Sequence, residues 1–110
     1  MPGPKITPEI KQQADAIVAR FNAETLQGQP WAHYVTTYRS TFLYLGHQDG
    51  GKIWPVCRLT YTGDMSNWEF AIYKYSDECY DPEEWFFSGA GELDGTIEGA
   101  MRAGLKAYPA

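Results

Sequence analysis

The chain of 110 residues contains no run of about 18 apolar residues, the length a helix needs to cross a membrane. It is also short of positive charge. Nine Lys and Arg stand against fourteen Asp and Glu, a net charge of −5, the wrong sign for neutralising duplex phosphates or an anionic lipid surface. Neither nucleic acid nor a membrane is expected as a partner. The first residues, Met1-Pro2-Gly3-Pro4-Lys5, lack the apolar stretch of a secretory leader, so the expected home is the cytoplasm. Cys57 and Cys79 are the two cysteines, and reduced thiols are expected there. Catalytic signatures are missing as well. No Gly-x-Ser-x-Gly elbow occurs, and the glycines at 89, 91, 95 and 99 form no phosphate-cradling pattern.

Aromatic residues are abundant by contrast: 15 of the 17 fall between Trp31 and Phe87. They sit in segments whose composition suits β-strands. An amphipathic helix is expected first, from Pro8 to about Ala23. Thr7 caps it, Pro8 fits the first turn, and Ile10, Ala14, Ile17, Val18 and Phe21 line one stripe. Thr25 to Pro30 reads as a connector. One long strand is expected over His33 to Leu45, with a bend near Arg39-Ser40, followed by a hairpin at Gln48-Asp49-Gly50-Gly51. A second strand spans Lys52 to Thr62, where Pro55 calls for an edge or a bulge. The third covers Trp68 to Ser76. A fourth short strand is expected at Trp85-Phe86-Phe87, although Asp81-Pro82-Glu83-Glu84 also suits a helix start. The last element is a helix from about Thr96, with Ile97, Ala100, Met101, Gly104, Leu105 and Tyr108 on one face.

This order predicts an α+β fold, a single two-layer domain over 1–110. An antiparallel meander of three to four strands carries the N- and C-terminal helices on one face. Strand parity then gives two apolar sets. Leu43, Leu45, Cys57, Leu59, Tyr61, Trp68, Phe70 and Ile72 face the helices. The opposite set holds Tyr34, Tyr38, Phe42, Tyr44, Trp54, Val56, Arg58, Ala71, Tyr73 and Tyr75, and a bulge at Pro55 would exchange part of it. A second ring-bearing face left in water is unfavourable at about 25 cal/mol per Å². Pairing with a second copy, as a homodimer, is therefore the expectation. One alternative is that loops or the Trp31 and Trp85 segments fold over this face and leave a monomer; the other is a small-molecule cleft lined by the same rings and anchored by Arg58 and Glu69.

The acidic stretch Asp77, Glu78, Asp81, Glu83 and Glu84 has neither the spacing nor the glycine of a calcium loop, and no metal or cofactor is expected. Cys79 lies among these carboxylates, which disfavour a thiolate. His33 and His47 are placed at opposite ends of the first strand, on the order of 40 Å or more apart if it is fully extended. A His47–Asp64 or His47–Asp49 pair is the weak enzymatic alternative, and no catalytic residue is assigned.

Leu59-Thr60-Tyr61-Thr62-Gly63, Trp68-Glu69-Phe70-Ala71-Ile72-Tyr73 and Gly95-Thr96-Ile97-Glu98 before a closing amphipathic helix carry one resemblance. Over about half its length the chain resembles small uncharacterised bacterial proteins without an assigned activity. The resemblance implies the same fold and adds no chemistry.

Overall fold

A computed structural model describes residues 4–24, 33–49, 51–83, 87 and 89–108. Helix α1 spans Pro8–Glu24 and buries Ala14, Val18 and Phe21. The Thr7 hydroxyl accepts the Ile10 N–H at 3.3 Å, satisfying a donor the first turn leaves free. Helix α2, Ile97–Ala107, begins in the same way, with the Gly99 N–H donating to Thr96 Oγ1. Asp94 in turn accepts from the Thr96 hydroxyl and N–H, which holds its carboxyl below the usual range. Arg102 and Lys106 reach back to Glu92 at 3.3 and 3.0 Å and tie a short 3₁₀ turn, Ala90–Glu92, to α2.

The sheet has five antiparallel strands in the order β1-β2-β3-β4-β5. They span Tyr34–Arg39, Phe42–Asp49, Lys52–Thr60, Glu69–Lys74 and Cys79–Asp81. The long first strand expected from composition is in fact two. The chain reverses at Ser40-Thr41, so that Arg39 pairs with Phe42 and Tyr34 with His47. Ser40 takes φ 58°, the left-handed region a two-residue hairpin requires but serine rarely supplies. Its carbonyl accepts the Ile6 N–H, and the Thr41 carbonyl accepts the Tyr61 N–H. The hairpin joining β2 to β3 lies where expected, with Asp49 paired to Lys52. The last strand lies in the acidic turn, at Cys79-Tyr80-Asp81. Lys74 meets Asp77 and Asp81 there at 3.6 and 3.7 Å. Of the strand expected at Trp85-Phe86-Phe87, only Phe87 is described, and it lies in a bend with its ring stacked on Phe70. Trp85 and Phe86 lie outside the described residues, as do Trp31 and the connector from Thr25 to Pro30.

Both helices pack on one face, giving the α+β two-layer sandwich. Leu43, Leu45, Cys57, Leu59 and Trp68 meet Val18, Phe21, Ile97, Ala100 and Met101 in one core, and Ile72 is buried as well. Helix α1 runs beside β1: the Asn22 amide both donates to the Tyr34 carbonyl and accepts the Tyr34 N–H, and Asp15 accepts from Thr36 and Tyr38 hydroxyls. Gly104 lets α2 approach the sheet, since a Cβ there would sit 2.6 Å from Val56 Cγ1 and against the Tyr34 hydroxyl. Among the described residues no helix is long and apolar enough to cross a membrane.

Candidate functional site

Cross-strand partners share a sheet face, so the register sorts the rings. Tyr34 and Tyr38 lie on the helix face, against the sequence expectation. The Ser40 turn reverses the chain after them and brings Tyr34 opposite His47 and Tyr38 opposite Leu43. Tyr34 is 2% exposed, its ring meets Phe21, and its hydroxyl donates to the Met101 carbonyl at 2.7 Å. Tyr38 donates to Asp15 at 2.6 Å, and burial together with this acceptor raises its pKa. Trp54 also moves. Leu45 pairs with Cys57 but Gly46 pairs with Pro55, which makes Val56 the extra residue of a bulge. Val56 is buried beside Gly104, and Trp54 stands opposite His47, with the Lys52 ammonium 4.2 Å from its ring.

Phe42, Tyr44, Arg58, Glu69 and Tyr73 do share the second face, and among the described residues no helix packs on it. Tyr80, from the acidic stretch where no strand is expected, joins them opposite Tyr73. Ring contacts run from Phe42 to Tyr44, Tyr80, Tyr73, Tyr75 and Tyr108, with centroids 4.8–6.1 Å apart. Tyr75 ends the row at the sheet border, donating to the Pro55 carbonyl and 42% exposed. Tyr44 and Tyr80 come within 5.4 Å although two strands separate theirs, a span of about 14 Å at the usual spacing. They lean together over Ala71, whose small side chain leaves room and is only 3% exposed. Burial, with Cys57 and the neighbouring tyrosines, pushes the Tyr80 hydroxyl up to about 12.

Arg58 lies within this row, its guanidinium carbon 4.6 Å from the Phe42 centroid and 5.6 Å from that of Tyr80. Its Nε is buried without a hydrogen-bond partner among the described residues. Glu69 is exposed on the same face, one step along the diagonal: Thr60 pairs with Glu69 and Arg58 with Ala71. Diagonal neighbours stand about 7–8 Å apart. Beside the rings, a shallow hollow of about 230 Å³ is bordered by Val35, Thr37, Tyr44, Gly46, Pro55 and Tyr80. A larger space of about 310 Å³ lies on the helix side, between Trp68, Phe70 and Pro82 and the start of α2.

The histidines are not separated by a strand length, because the hairpin folds them to one end. His33 Nε2 bonds Gln48 Oε1 at 3.0 Å on the second face, and His47 is 7% exposed on the other, its ring 4.5 Å from that of Tyr34. Burial first, then the charge of His33, lowers the His47 pKa. Its neutral form is therefore the folded form. The unfolded chain takes up the proton at pH below about 6.5, so stability is expected to fall as pH drops through that value, by at most about 1.4 kcal/mol per unit. Denaturant midpoints between pH 7.5 and 5.5 measure this, and His47→Gln should flatten the slope. Asp64 is no partner for His47. It lies beyond Thr60, while His47 pairs with Trp54, about six residues or 20 Å back along β3.

Both cysteines are free. Cys57 is fully buried with its thiol pushed up by burial, and Cys79 is exposed. Comparison of the chain with protein-family models, with curated proteins and with solved structures finds no match.

Proposed function

We propose that this chain is a cytoplasmic, non-enzymatic interaction module that works as a homodimer, two copies meeting through the ring-bearing sheet face. The observation that carries the reading is the row from Phe42 through Tyr44, Tyr80 and Tyr73 to Tyr75, its rings in mutual contact and left without a covering helix among the described residues. Tyrosine rings are large, rigid and amphipathic, the type enriched where proteins meet. Five strands at about 4.8 Å and about six residues at about 3.4 Å give a face of roughly 24 by 20 Å. Two such faces would bury on the order of 1,000 Å², the low end of specific interfaces, so association in the micromolar range is expected.

Sedimentation over tens to hundreds of micromolar tests this. A mass rising from one copy to two is expected, with Tyr73→Asp remaining a folded monomer by circular dichroism. A wild-type chain that stays monomeric over that range, with Tyr73→Asp no different, overturns it. The hollow over Gly46 favours a second reading, a small apolar ligand seated between Tyr44 and Tyr80. Saturable quenching of tyrosine fluorescence by a hydrophobic dye, lost in Thr37→Phe at an exposed position on the border of the hollow, would support that reading instead.

A further inference from the structure

We infer that the two copies are registered by reciprocal ion pairs, Arg58 of each against Glu69 of the other. The inference rests on the homodimer reading and deepens it. Arg58 carries the chemistry of a group awaiting an acceptor. A guanidinium presents five donors and never loses its charge. Here it lies between Phe42 and Tyr80 with Nε sealed from solvent, and among the described residues no carboxylate comes within ion-pair distance of it. Stacked on rings and stripped of part of its hydration, such a cation interacts strongly with an anion brought to its open edge.

Glu69 is the matching group. It is exposed, stands on the same face, and among the described residues has no cation within ion-pair distance. Within one chain the two stand on a diagonal and do not pair, because the Arg58 guanidinium is held over the Phe42 and Tyr80 rings. A two-fold axis lying in the plane of the interface and passing between them resolves both charges at once. Each Arg58 then faces Glu69 of a second copy, and the contact occurs twice because a two-fold interface is isologous. The face thus carries its own complement, cation and anion side by side on an apolar field. Registry through charge also suppresses the shifted pairings that a plain row of rings would allow.

Charge exchange between two variants tests the pairing. Glu69→Arg, at an exposed position, is expected to weaken self-association at least tenfold, and Arg58→Glu to do the same. Mixed in equal amounts, the two variants should recover dimers, because one copy then presents a cation at both positions and the other a carboxylate at both. Glu69→Gln, which keeps shape and fold, should weaken association several-fold and reduce its salt dependence; it keeps the test decisive if Arg58→Glu fails to fold. A dimeric wild type whose association is unchanged by Glu69→Gln and Glu69→Arg overturns the ion pair and leaves the dimer standing. A wild type that never dimerises overturns both. If inorganic phosphate at millimolar concentration strengthens wild-type association, and Glu69→Gln leaves that effect intact, Arg58 serves a dissolved anion and the reciprocal pair is excluded.

Discussion

Trp68→Ala is expected to remove about 3–5 kcal/mol of stability, the cost of deleting a buried aromatic side chain together with the cavity it leaves. Against the roughly 5–15 kcal/mol typical of small domains, that is enough to leave a substantial unfolded population at physiological temperature. Trp68 is 4% exposed, packs its ring 5.0 Å from Tyr61, and stands at the entry to β4, where its N–H donates to the Gly95 carbonyl at 2.7 Å. The backbone bond survives substitution, so the loss measures the side chain alone, its packing less the cost of its buried indole N–H. Trp68→Phe separates packing from polarity. The indole Nε1 is buried without an acceptor among the described residues, and an unmade hydrogen bond of this kind costs about 1–3 kcal/mol. Phenylalanine deletes that donor while losing part of the ring volume, and the two effects oppose each other. Trp68→Phe should therefore stay within about 1.5 kcal/mol of wild type. Urea midpoints at constant m-value measure both variants. Equal losses for alanine and phenylalanine would mean that the nitrogen is satisfied after all.

Gly104→Ala is the second large effect, and its sign runs against helix propensity. In an exposed helix the change would add roughly 1 kcal/mol. Here the new methyl would lie 2.6 Å from Val56 Cγ1 and press on the Tyr34 hydroxyl. Overpacking costs about 1–3 kcal/mol, and displacing Tyr34 endangers its bond to the Met101 carbonyl, worth about 0.5–1.5 kcal/mol more. The net expectation is a loss of about 2 kcal/mol. Tyr34→Phe removes one of the two obstructing groups. In that background Gly104→Ala should cost less, and a double-mutant cycle should return a coupling above about 0.5 kcal/mol. Additive losses would show that the α2 helix shifts as a body and does not press on Tyr34.

Much of this architecture was legible in the sequence because local chemistry and global packing agree there. Thr7-Pro8 and Thr96 mark their helix starts, and the glycines after Asp49 mark a hairpin. The parity of Leu43, Leu45, Cys57 and Leu59 names the buried face. Two reversals were not legible. Strand-forming Tyr38, Thr41 and Phe42 flank Arg39-Ser40, so a bend was legible there but a full reversal was not, since nothing in serine announces φ 58°. Tertiary bonds at Ser40 and Thr41 supply what the local sequence does not. That missed turn placed Tyr34 and Tyr38 on the wrong face and set the histidines a strand length apart. Cys79-Tyr80-Asp81 was hidden for another reason: so short a strand cannot show alternation, and acidic neighbours disguise it as a turn. Tyr80, at the centre of the candidate site, was lost with it. The expected bulge at Pro55 proved to be Val56, and it carried Trp54 and Val56 to the helix side.

The placement of α1 along β1 has a consequence for how the chain can multiply. An open sheet ordinarily offers two rows of unused peptide groups to any passing strand. Here the Asn22 amide occupies the Tyr34 peptide as a neighbouring strand would, and the helix carrying Asp15 stands alongside Thr36 and Tyr38. The other border is β5, with a length of 3 residues. Lengthening the sheet by strand addition would propagate without limit, whereas stacking two faces about a two-fold axis is complete after one event. Edges guarded in this way offer little template for strand addition, which disfavours fibrils.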